Sequence, residues 1–266
     1  MLTGQALIAD IDAARPGQDQ VAFWWLGQHS VVLKMGGRVL YIDPYLKPDE
    51  RRLVKPMLKP EDVKHADFVL CTHDHGDHID PAAIPGLAAA SPGARFVVSR
   101  RHLGRLASLG VAEARLAGLD PGGVFEGGGI RITALASKHE FFENDERGWP
   151  FLGFVIEAGK AAVYHSGDTL VYDGLAAALK AWRLSVMFLP INGRDAARYR
   201  RNCLGNMTYQ EAADLAGELA PGWVVPCHYD MFAHNSEDVG KFLDYMSAKF
   251  PGQRVWAGRH GERWMG

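Results

Sequence analysis

The chain contains the segment Thr72-His73-Asp74-His75-Gly76-Asp77-His78, with three histidines and two aspartates within seven residues. The segment closes an apolar run, Phe68–Thr72, that predicts a buried β-strand. Its first two histidines are two residues apart on extended backbone and therefore point to the same side. Its glycine permits a turn, after which the last aspartate and histidine face a neighbouring position. Imidazole and carboxylate groups together suit Zn²⁺, iron or Mn²⁺, so the segment predicts a metal site at a strand end.

This H-x-H-x-D-H pattern resembles the signature of the metallo-β-lactamase superfamily, and three later segments resemble its further ligand motifs in the same order. They are Ser137-Lys138-His139, Tyr164-His165-Ser166-Gly167-Asp168-Thr169 and Pro226-Cys227-His228-Tyr229-Asp230. The resemblance implies two divalent ions, Zn²⁺ ahead of Mn²⁺, bridged by Asp168. The implied ligands of the first ion are His73, His75 and His139. Those of the second ion are Asp77, His78 and His228.

Two further residues are assigned positions behind these ligands. Asp43, in Tyr41-Ile42-Asp43-Pro44, resembles the family carboxylate that holds a ligand imidazole in one tautomer. The alternative for Asp43 is a turn-forming aspartate before a proline. His165 has no ligand role in the family pattern, so we assign it either to the surroundings of the ligands or to the core.

Hydrophobic patterns along the rest of the chain predict an α+β fold. The predicted strands are Val21–Leu26, Val31–Met35, Val39–Ile42, Phe68–Thr72, Phe96–Ser99, Ile130–Ala136, Phe151–Ile156, Ala161–His165, Val186–Leu189 and Val224–Pro226. The predicted helices are Arg101–Leu109, Leu175–Trp182, Tyr209–Leu219 and Glu237–Lys249; Thr208 and Glu211 predict a capping box before the third, and Gly222 predicts its end. Strands in hairpin groups separated by helices favour two packed mixed sheets with helices outside. The resemblance implies the same αββα sandwich.

Length, composition and charge limit the class of protein. The 266 residues are 47% hydrophobic and 23% charged, as in soluble globular proteins. We predict one domain over residues 1–266, with an N-terminal extension over residues 1–19. The net charge, 29 − 31 = −2, gives no support for a nucleic-acid or membrane partner. Without a signal-like segment or paired cysteine spacing, the sequence predicts a cytoplasmic protein, with homo-oligomerisation left open.

The resemblance implies a small-substrate hydrolase. His75 stands where the di-iron oxygen reductases of the fold place glutamate, and the superfamily nucleases carry a large inserted domain. The segment from Leu189 to Met207, together with His228-Tyr229-Asp230-Met231-Phe232 and Asn235, resembles the branch that includes L-ascorbate-6-phosphate lactonase. We therefore expect hydrolysis of a small anionic ester or lactone by a hydroxide held by the two ions. Asp77 and Asp168 are unranked candidates to accept a proton from the attacking water. A metal-dependent phosphodiesterase or nuclease and a non-catalytic metal-binding relative remain as alternatives.

A basic segment supplies the candidate substrate-binding residues. Four arginines occupy the eight positions from Arg194 to Arg201, with Asp195 the one acidic residue among them. Guanidinium groups bind carboxylate or phosphate bidentately. We therefore expect an anionic group of the substrate to contact Arg194, Arg201, Asn202 and Asn206; the alternative is a solvated basic turn. The insert Glu140–Pro150 is predicted to form either an aromatic lid over the site or a surface loop.

Overall fold

The structure is a computed structural model that describes residues 1–139, 142 and 144–266. Its strands are β1 (Ala22–Gly27), β2 (Ser30–Met35), β3 (Arg38–Ile42), β4 (Phe68–Cys71), β5 (Arg95–Ser99), β6 (Leu116–Leu119), β7 (Val124–Gly127), β8 (Ile130–Ala136), β9 (Leu152–Ala158), β10 (Ala161–His165), β11 (Val186–Pro190), β12 (Trp223–Cys227) and β13 (Arg263–Met265). Its helices are α1 (Gly4–Ala13), α2 (Ala83–Ala90), α3 (Leu103–Ser108), α4 (Leu175–Leu179), α5 (Ala196–Arg200), α6 (Tyr209–Leu219) and α7 (Val239–Lys249). Within the described ranges, no helix has the length and apolar character needed to cross a membrane.

The strands form two mixed sheets. The first has the order β13-β1-β2-β3-β4-β5-β6 and the second the order β12-β11-β10-β9-β8-β7. In the first sheet, β3 to β6 are parallel neighbours and the remaining pairs are antiparallel. In the second, β10 to β12 are parallel and the remaining pairs are antiparallel. Each sheet therefore combines a hairpin half with a parallel half.

Strand β1 shows how the layers pack, because all of its residues are buried. Phe23 and Trp25 point into the core between the sheets, where the Phe23 ring lies 5.0 Å from the ring of Phe188 on β11. Trp24 and Leu26 point to the other side, into a second core that includes side chains of α1, α2 and α3. Helices α4, α6 and α7 cover the second sheet. The predicted α+β sandwich of two mixed sheets with helices outside is confirmed.

The strands that sequence patterns missed lie at the edges of the sheets. All ten predicted strands are present with ends within two residues of the prediction, whereas β6, β7 and β13 were not predicted. Each of these three is the last strand of its sheet on one side. An edge strand is short and half-exposed, so its hydrophobic pattern is weak. The predicted N-terminal extension contains α1, whose Leu7 and Ile11 are fully buried.

Helix α6 begins and ends as predicted, at Tyr209 and Leu219, but the residue that caps its end differs from the prediction. The capping box of Thr208 and Glu211 is present. The prediction that Gly222 ends the helix was wrong, because Ala220 takes the left-handed conformation there, with φ 45°. Gly222 serves close packing instead, since a Cβ at this position would lie 2.6 Å from the carbonyl oxygen of Ser185.

Strand direction gathers polar residues at one edge of the sandwich. Strands β1, β3 and β4 run in the same direction, because β1 is two antiparallel steps from β3. Strands β8, β10 and β12 share a direction for the same reason. Ligand sites of such sheets form beyond the carboxyl ends of the strands. The segments that follow these six ends contain Gln28 and His29, Asp43, the His73–His78 motif, His139, Asp168 and His228.

Candidate metal centre

The structure brings the seven predicted ligands into one cluster. Their ligand atoms form three groups in which every atom lies within 4.8 Å of the others. These groups are His73 with His75 and His139, Asp77 with His78 and His228, and His73 with His78 and Asp168. The first two groups coincide with the two ligand sets implied by the sequence resemblance.

Asp168 lies where a shared ligand would be needed. Its Oδ2 atom is 3.0 Å from His228 Nε2, 3.3 Å from His78 Nε2 and 3.9 Å from His139 Nε2. The Asp168 carboxylate therefore faces histidines of both sets. The preceding turn depends on Gly167, which has φ 57° and where a Cβ would lie 2.7 Å from the carbonyl oxygen of Leu152.

The histidines of the cluster differ in the direction in which burial and neighbouring charges shift their pKa. Burial lowers the pKa of His139 to about 4 and holds the pKa of His73 well below its usual value. Burial also opposes protonation of His78, but the negative charges of Asp168, Asp43 and Asp77 outweigh it and raise the pKa of His78 well above its usual value. These carboxylates attract positive charge into a buried site.

The carboxyl groups themselves remain ionised despite burial. Burial would raise the pKa of Asp168, but His228 and His78 hold that pKa well below its usual range. The pKa of Asp77 is lowered in the same way, with burial opposed by His78 and His228. Two ionised carboxylates among imidazoles are the environment that a metal cation requires.

The orientation of His78 supports a metal ligand role. Its Nδ1 atom lies 2.7 Å from Asp43 Oδ2 and donates to it. Its Nε2 atom is buried without a hydrogen-bond partner among the described residues, 3.3 Å from Asp168 and 3.7 Å from Asp77. A nitrogen lone pair faces carboxylates favourably only when a proton or a cation lies between them. Because imidazole and carboxylate are also the right donor types, the residues present fit a metal cation.

Asp43 and His165 occupy different positions behind the cluster. Asp43 is fully buried and accepts hydrogen bonds from the Thr72 backbone N–H, the Thr72 hydroxyl and His78 Nδ1, at 2.8, 2.8 and 2.7 Å. It therefore orients His78. His165 is fully buried and contacts the backbone of His29, since its Nε2 lies 2.8 Å from the His29 carbonyl oxygen. Burial lowers the pKa of His165 to about 3, so the ring is neutral.

Sequence reasoning missed Gln28 and His29. The Gln28 amide nitrogen lies 2.7 Å from Asp77 Oδ2 and 2.9 Å from His228 Nε2. His29 Nδ1 lies 3.0 Å from Asp168 Oδ1 and donates to it. The signal was the polar run Gln28-His29-Ser30 between two apolar strands, but alone it indicates only a hairpin turn. Gln28, Asp43 and His228 all have left-handed backbone, with φ 54°, 45° and 60°, which is typical of functional sites.

In the basic segment that begins at Arg194, some arginines form ion pairs with carboxylates and others line a cavity. Arg194 forms a bidentate ion pair with Glu211, with a distance of 2.6 Å between Nη2 and Oε1. Arg198 is paired with Asp195. Glu211 of α6 therefore supplies a compensating charge for Arg194 within the chain. Arg201 and Asn202 line a cavity above the ligand cluster.

Two adjoining cavities open onto the cluster. The first, of about 400 Å³, is lined by five of the predicted ligands and by Arg201, Asn202 and Asn206. The second, of about 260 Å³, is lined by Gln28, Tyr45, Lys47, Arg51 and Phe232. Four residues line both cavities: Gly76, Asp77, His234 and Asn235.

The structure describes only part of the insert Glu140–Pro150, which was predicted to form an aromatic lid or a surface loop. Glu140, Phe141 and Glu143 lie outside the described residues. Phe142 packs against Trp149 and Tyr172, with ring centroids 5.2 and 4.5 Å apart.

Known proteins resemble the chain in sequence and in fold. The family model described as "Beta-lactamase superfamily domain" matches residues 38–229. UPF0173 metal-dependent hydrolases of Methanosarcina mazei and Archaeoglobus fulgidus are each 30% identical over 230 residues, which cover 85% of this chain and 90% of each relative. The structure of Igni18, described as a novel metallo hydrolase from Ignicoccus hospitalis, is similar in fold, with a TM-score of 0.73 and 24% identity over 93% of this chain and 98% of that one. The range matched by the family model, residues 38–229, includes the seven predicted ligands, whereas Gln28 and His29 lie before this range.

Proposed function

Because this chain belongs to the β-lactamase superfamily domain family and to the UPF0173 metal-dependent hydrolases, we propose that it opens a small anionic ester or lactone at a centre of two metal ions. As a member of these families, the chain is a metal-dependent hydrolase. One observation supports a centre of two ions: Asp168 faces histidines of both groups of ligand atoms.

The two proposed metal ions would use all seven predicted ligands. One ion would be held by His73, His75 and His139, the other by Asp77, His78 and His228, with Asp168 shared. Zn²⁺ suits this mixture of imidazole and carboxylate best, and Mn²⁺ is the next candidate. When bound, such a pair lowers the pKa of a water molecule and stabilises negative charge on the substrate oxygen.

Asp77 is the better candidate to accept the proton. Both carboxylate oxygens of Asp168 are engaged, Oδ1 by His29 and Oδ2 by His228. Asp77 uses only Oδ2 for its hydrogen bond with Gln28, is partly exposed, and lines both cavities. An oxygen that reaches solvent can take a proton and release it, so we assign this role to Asp77 ahead of Asp168.

Arg201 is the proposed contact for an anionic group of the substrate. It is the one arginine or lysine among the described residues that line the larger cavity. Asn206, in the same cavity, has a buried Oδ1 atom without a hydrogen-bond partner in the described part of the chain, so it offers an acceptor to a substrate hydroxyl. Arg194 is removed from the substrate-binding set because Glu211 holds it.

The shape and charge of the site favour a small substrate over a polymer. A nuclease needs a basic channel along its substrate, whereas this cavity of about 400 Å³ carries Arg201 beside acidic ligands. A complete ligand cluster also favours an enzyme over a non-catalytic relative. A small anionic substrate and a cytoplasmic location remain predictions from the sequence.

A substrate screen tests this function. Protein loaded with Zn²⁺ or Mn²⁺ is assayed against matched lactones, carboxylic esters, thioesters and phosphodiesters, each in a charged and a neutral form. We expect hydrolysis of lactones or esters, faster for the charged forms. Turnover confined to phosphodiesters or nucleic acids would overturn the proposal and support the nuclease alternative.

Arg201→Ala should weaken binding of the charged substrate. Loss of one charge-assisted contact is expected to raise KM by about tenfold, with little change in kcat, because the contact is equally strong in ground and transition states. Steady-state kinetics on the charged and neutral substrates measure this difference. Arg200→Ala is the matched control, since Arg200 is exposed and does not line the cavity. Equal effects of the two variants would show that Arg201 is only a surface residue.

A further inference from the structure

The smaller cavity has no role in the function proposed so far. It adjoins the ligand cluster through Gly76 and Asp77, which also line the larger cavity. A substrate whose reacting bond lies at the cluster can therefore extend into it. Its walls include the rings of Tyr45 and Phe232, whose centroids lie 6.2 Å apart.

Lys47 is held at this cavity by its backbone. Its N–H donates to Asp80 Oδ2 at 2.7 Å, and the preceding N–H of Leu46 donates to the same oxygen at 2.9 Å. The Lys47 carbonyl oxygen accepts from Arg52 Nη1 at 3.0 Å, and that nitrogen also donates to the carbonyl oxygen of Tyr45. Arg52 and Asp80 are both buried. The backbone that carries the lysine is therefore fixed before any ligand binds, which lowers the entropic cost of binding.

The Lys47 ammonium group lies beside the metal-ligand turn. It is 5.8 Å from the centroid of the Tyr45 ring, and a Cβ built at Gly76 would lie 3.9 Å from its Nζ atom. Gly76 stands between the predicted ligands His75 and Asp77, so its missing side chain leaves this approach open.

Lys47 and its neighbour Arg51 are both cations, but they differ in whether a carboxylate pairs with them. Arg51 forms a bidentate pair with Asp49, with Nη2 to Oδ2 at 2.6 Å and Nε to Oδ1 at 3.0 Å. The carboxylates around this cavity face other groups, Asp49 facing Arg51 and Asp77 facing His78 and His228. No described residue forms an ion pair with Lys47. A cation without an ion-pair partner, next to a centre that binds metal cations, is stabilised by an anion between them.

We propose that the smaller cavity is an oxyanion subsite in which Lys47 binds a carboxylate or phosphate group of the substrate. This inference rests on the proposed function and deepens it. The substrate class becomes a compound with two anionic groups, one near Arg201 and one near Lys47, joined by a segment that contacts Tyr45 and Phe232 and carries the reacting ester or lactone. Because an ammonium group is a compact charge without a preferred planar geometry, the subsite accepts both oxyanions.

Calorimetric binding to the Zn²⁺-loaded protein tests the subsite without turnover. The probes are butyrate, the dicarboxylates succinate, glutarate and adipate, and 3-phosphonopropionate. Arg201 is kept in these measurements, so that it can bind one anionic group of a probe while Lys47 binds the other. We expect at least one two-anion probe to bind more tightly than butyrate. The substitution Lys47→Gln should weaken the binding of that probe about tenfold and change the affinity for butyrate by less than about twofold.

Two controls make the result specific. Lys55→Gln removes the same charge from a nearby exposed lysine that does not line the cavity, and should leave every affinity unchanged. Lys47→Arg should retain the preference for two-anion probes. The relative losses for glutarate and 3-phosphonopropionate distinguish a carboxylate from a phosphate subsite.

The outcomes separate this inference from the proposed function. Equal affinities of the Lys47→Gln and Lys55→Gln proteins for every probe would overturn the subsite, even if the enzyme hydrolyses lactones. A selective loss in Lys47→Gln would support the subsite, even if no ester in the substrate screen is hydrolysed.

Discussion

Replacing Asp168 by alanine should empty the metal centre and abolish hydrolysis. The wild-type protein is expected to bind about two ions per chain, and the variant well below one, with activity reduced more than about a hundredfold. The reason is electrostatic. Asp168 and Asp77 are the two carboxylates in the ligand groups of the described residues, and Asp168 is the one that faces histidines of both sets. Elemental analysis after dialysis measures the metal content, and the substrate screen measures activity.

Two companion variants locate the ions individually. Asp168→Asn keeps an oxygen that can accept the hydrogen bond from His29 Nδ1, so it separates loss of charge from loss of packing. His228→Ala removes a ligand from one set only and should leave about one ion per chain. A wild-type ratio that never exceeds one in excess metal would refute the two-ion centre. Loss of both ions in His228→Ala would mean that His228 is assigned to the wrong position.

Asp43→Asn should weaken metal binding without removing any ligand. Both oxygens of Asp43 accept hydrogen bonds, from the Thr72 N–H, the Thr72 hydroxyl and His78 Nδ1. An asparagine NH₂ group can only donate, so it would face another donor in this buried site. Affinity for the ion at Asp77, His78 and His228 is expected to fall about 10- to 100-fold, and the free energy of unfolding by about 1–3 kcal/mol. Metal titration and denaturant unfolding measure the two effects.

Backbone strain is not a cause of the expected loss, because asparagine tolerates the left-handed φ of 45° found at Asp43. Asp67→Asn is the matched control. Asp67 accepts from Arg38 Nη1 and from the Val39 N–H, both at 2.9 Å, near the start of β3 and away from the ligands. It should lower stability but leave metal affinity unchanged. If Asp67→Asn weakened the metal as much as Asp43→Asn, the effect would reflect general destabilisation and not the orientation of His78.

The predicted ligands were visible in the sequence because their motifs are local. Four of them stand within six residues, His73 to His78, directly after a strand. Asp168 and His228 follow the ends of β10 and β12 by three residues and one residue. Such short spacings are set by strand direction and by single turns, which sequence patterns describe well.

The surroundings of the ligands were harder to predict because they depend on distant parts of the chain. His29 contacts Asp168 across 139 positions, and Gln28 contacts His228 across 200. Arg194 was predicted to bind substrate, yet Glu211, 17 positions further on, neutralises it. Hydrophobic periodicity contains no information about which loops of two sheets meet.

The amino-acid sequence by itself indicated the layered α+β fold, ten of the thirteen strands in the described residues and seven candidate ligands. Alternating burial along strands and the chemistry of histidine and aspartate are properties of short segments. Only the tertiary structure decided that Gln28 and His29 contact the predicted ligands, that Arg194 pairs with Glu211 while Arg201 lines the larger cavity, and that Lys47 stands beside Gly76 without an ion-pair partner among the described residues. Pairing of charges and closure of cavities depend on distances through space, and packing of the two sheets sets those distances between residues far apart in the chain.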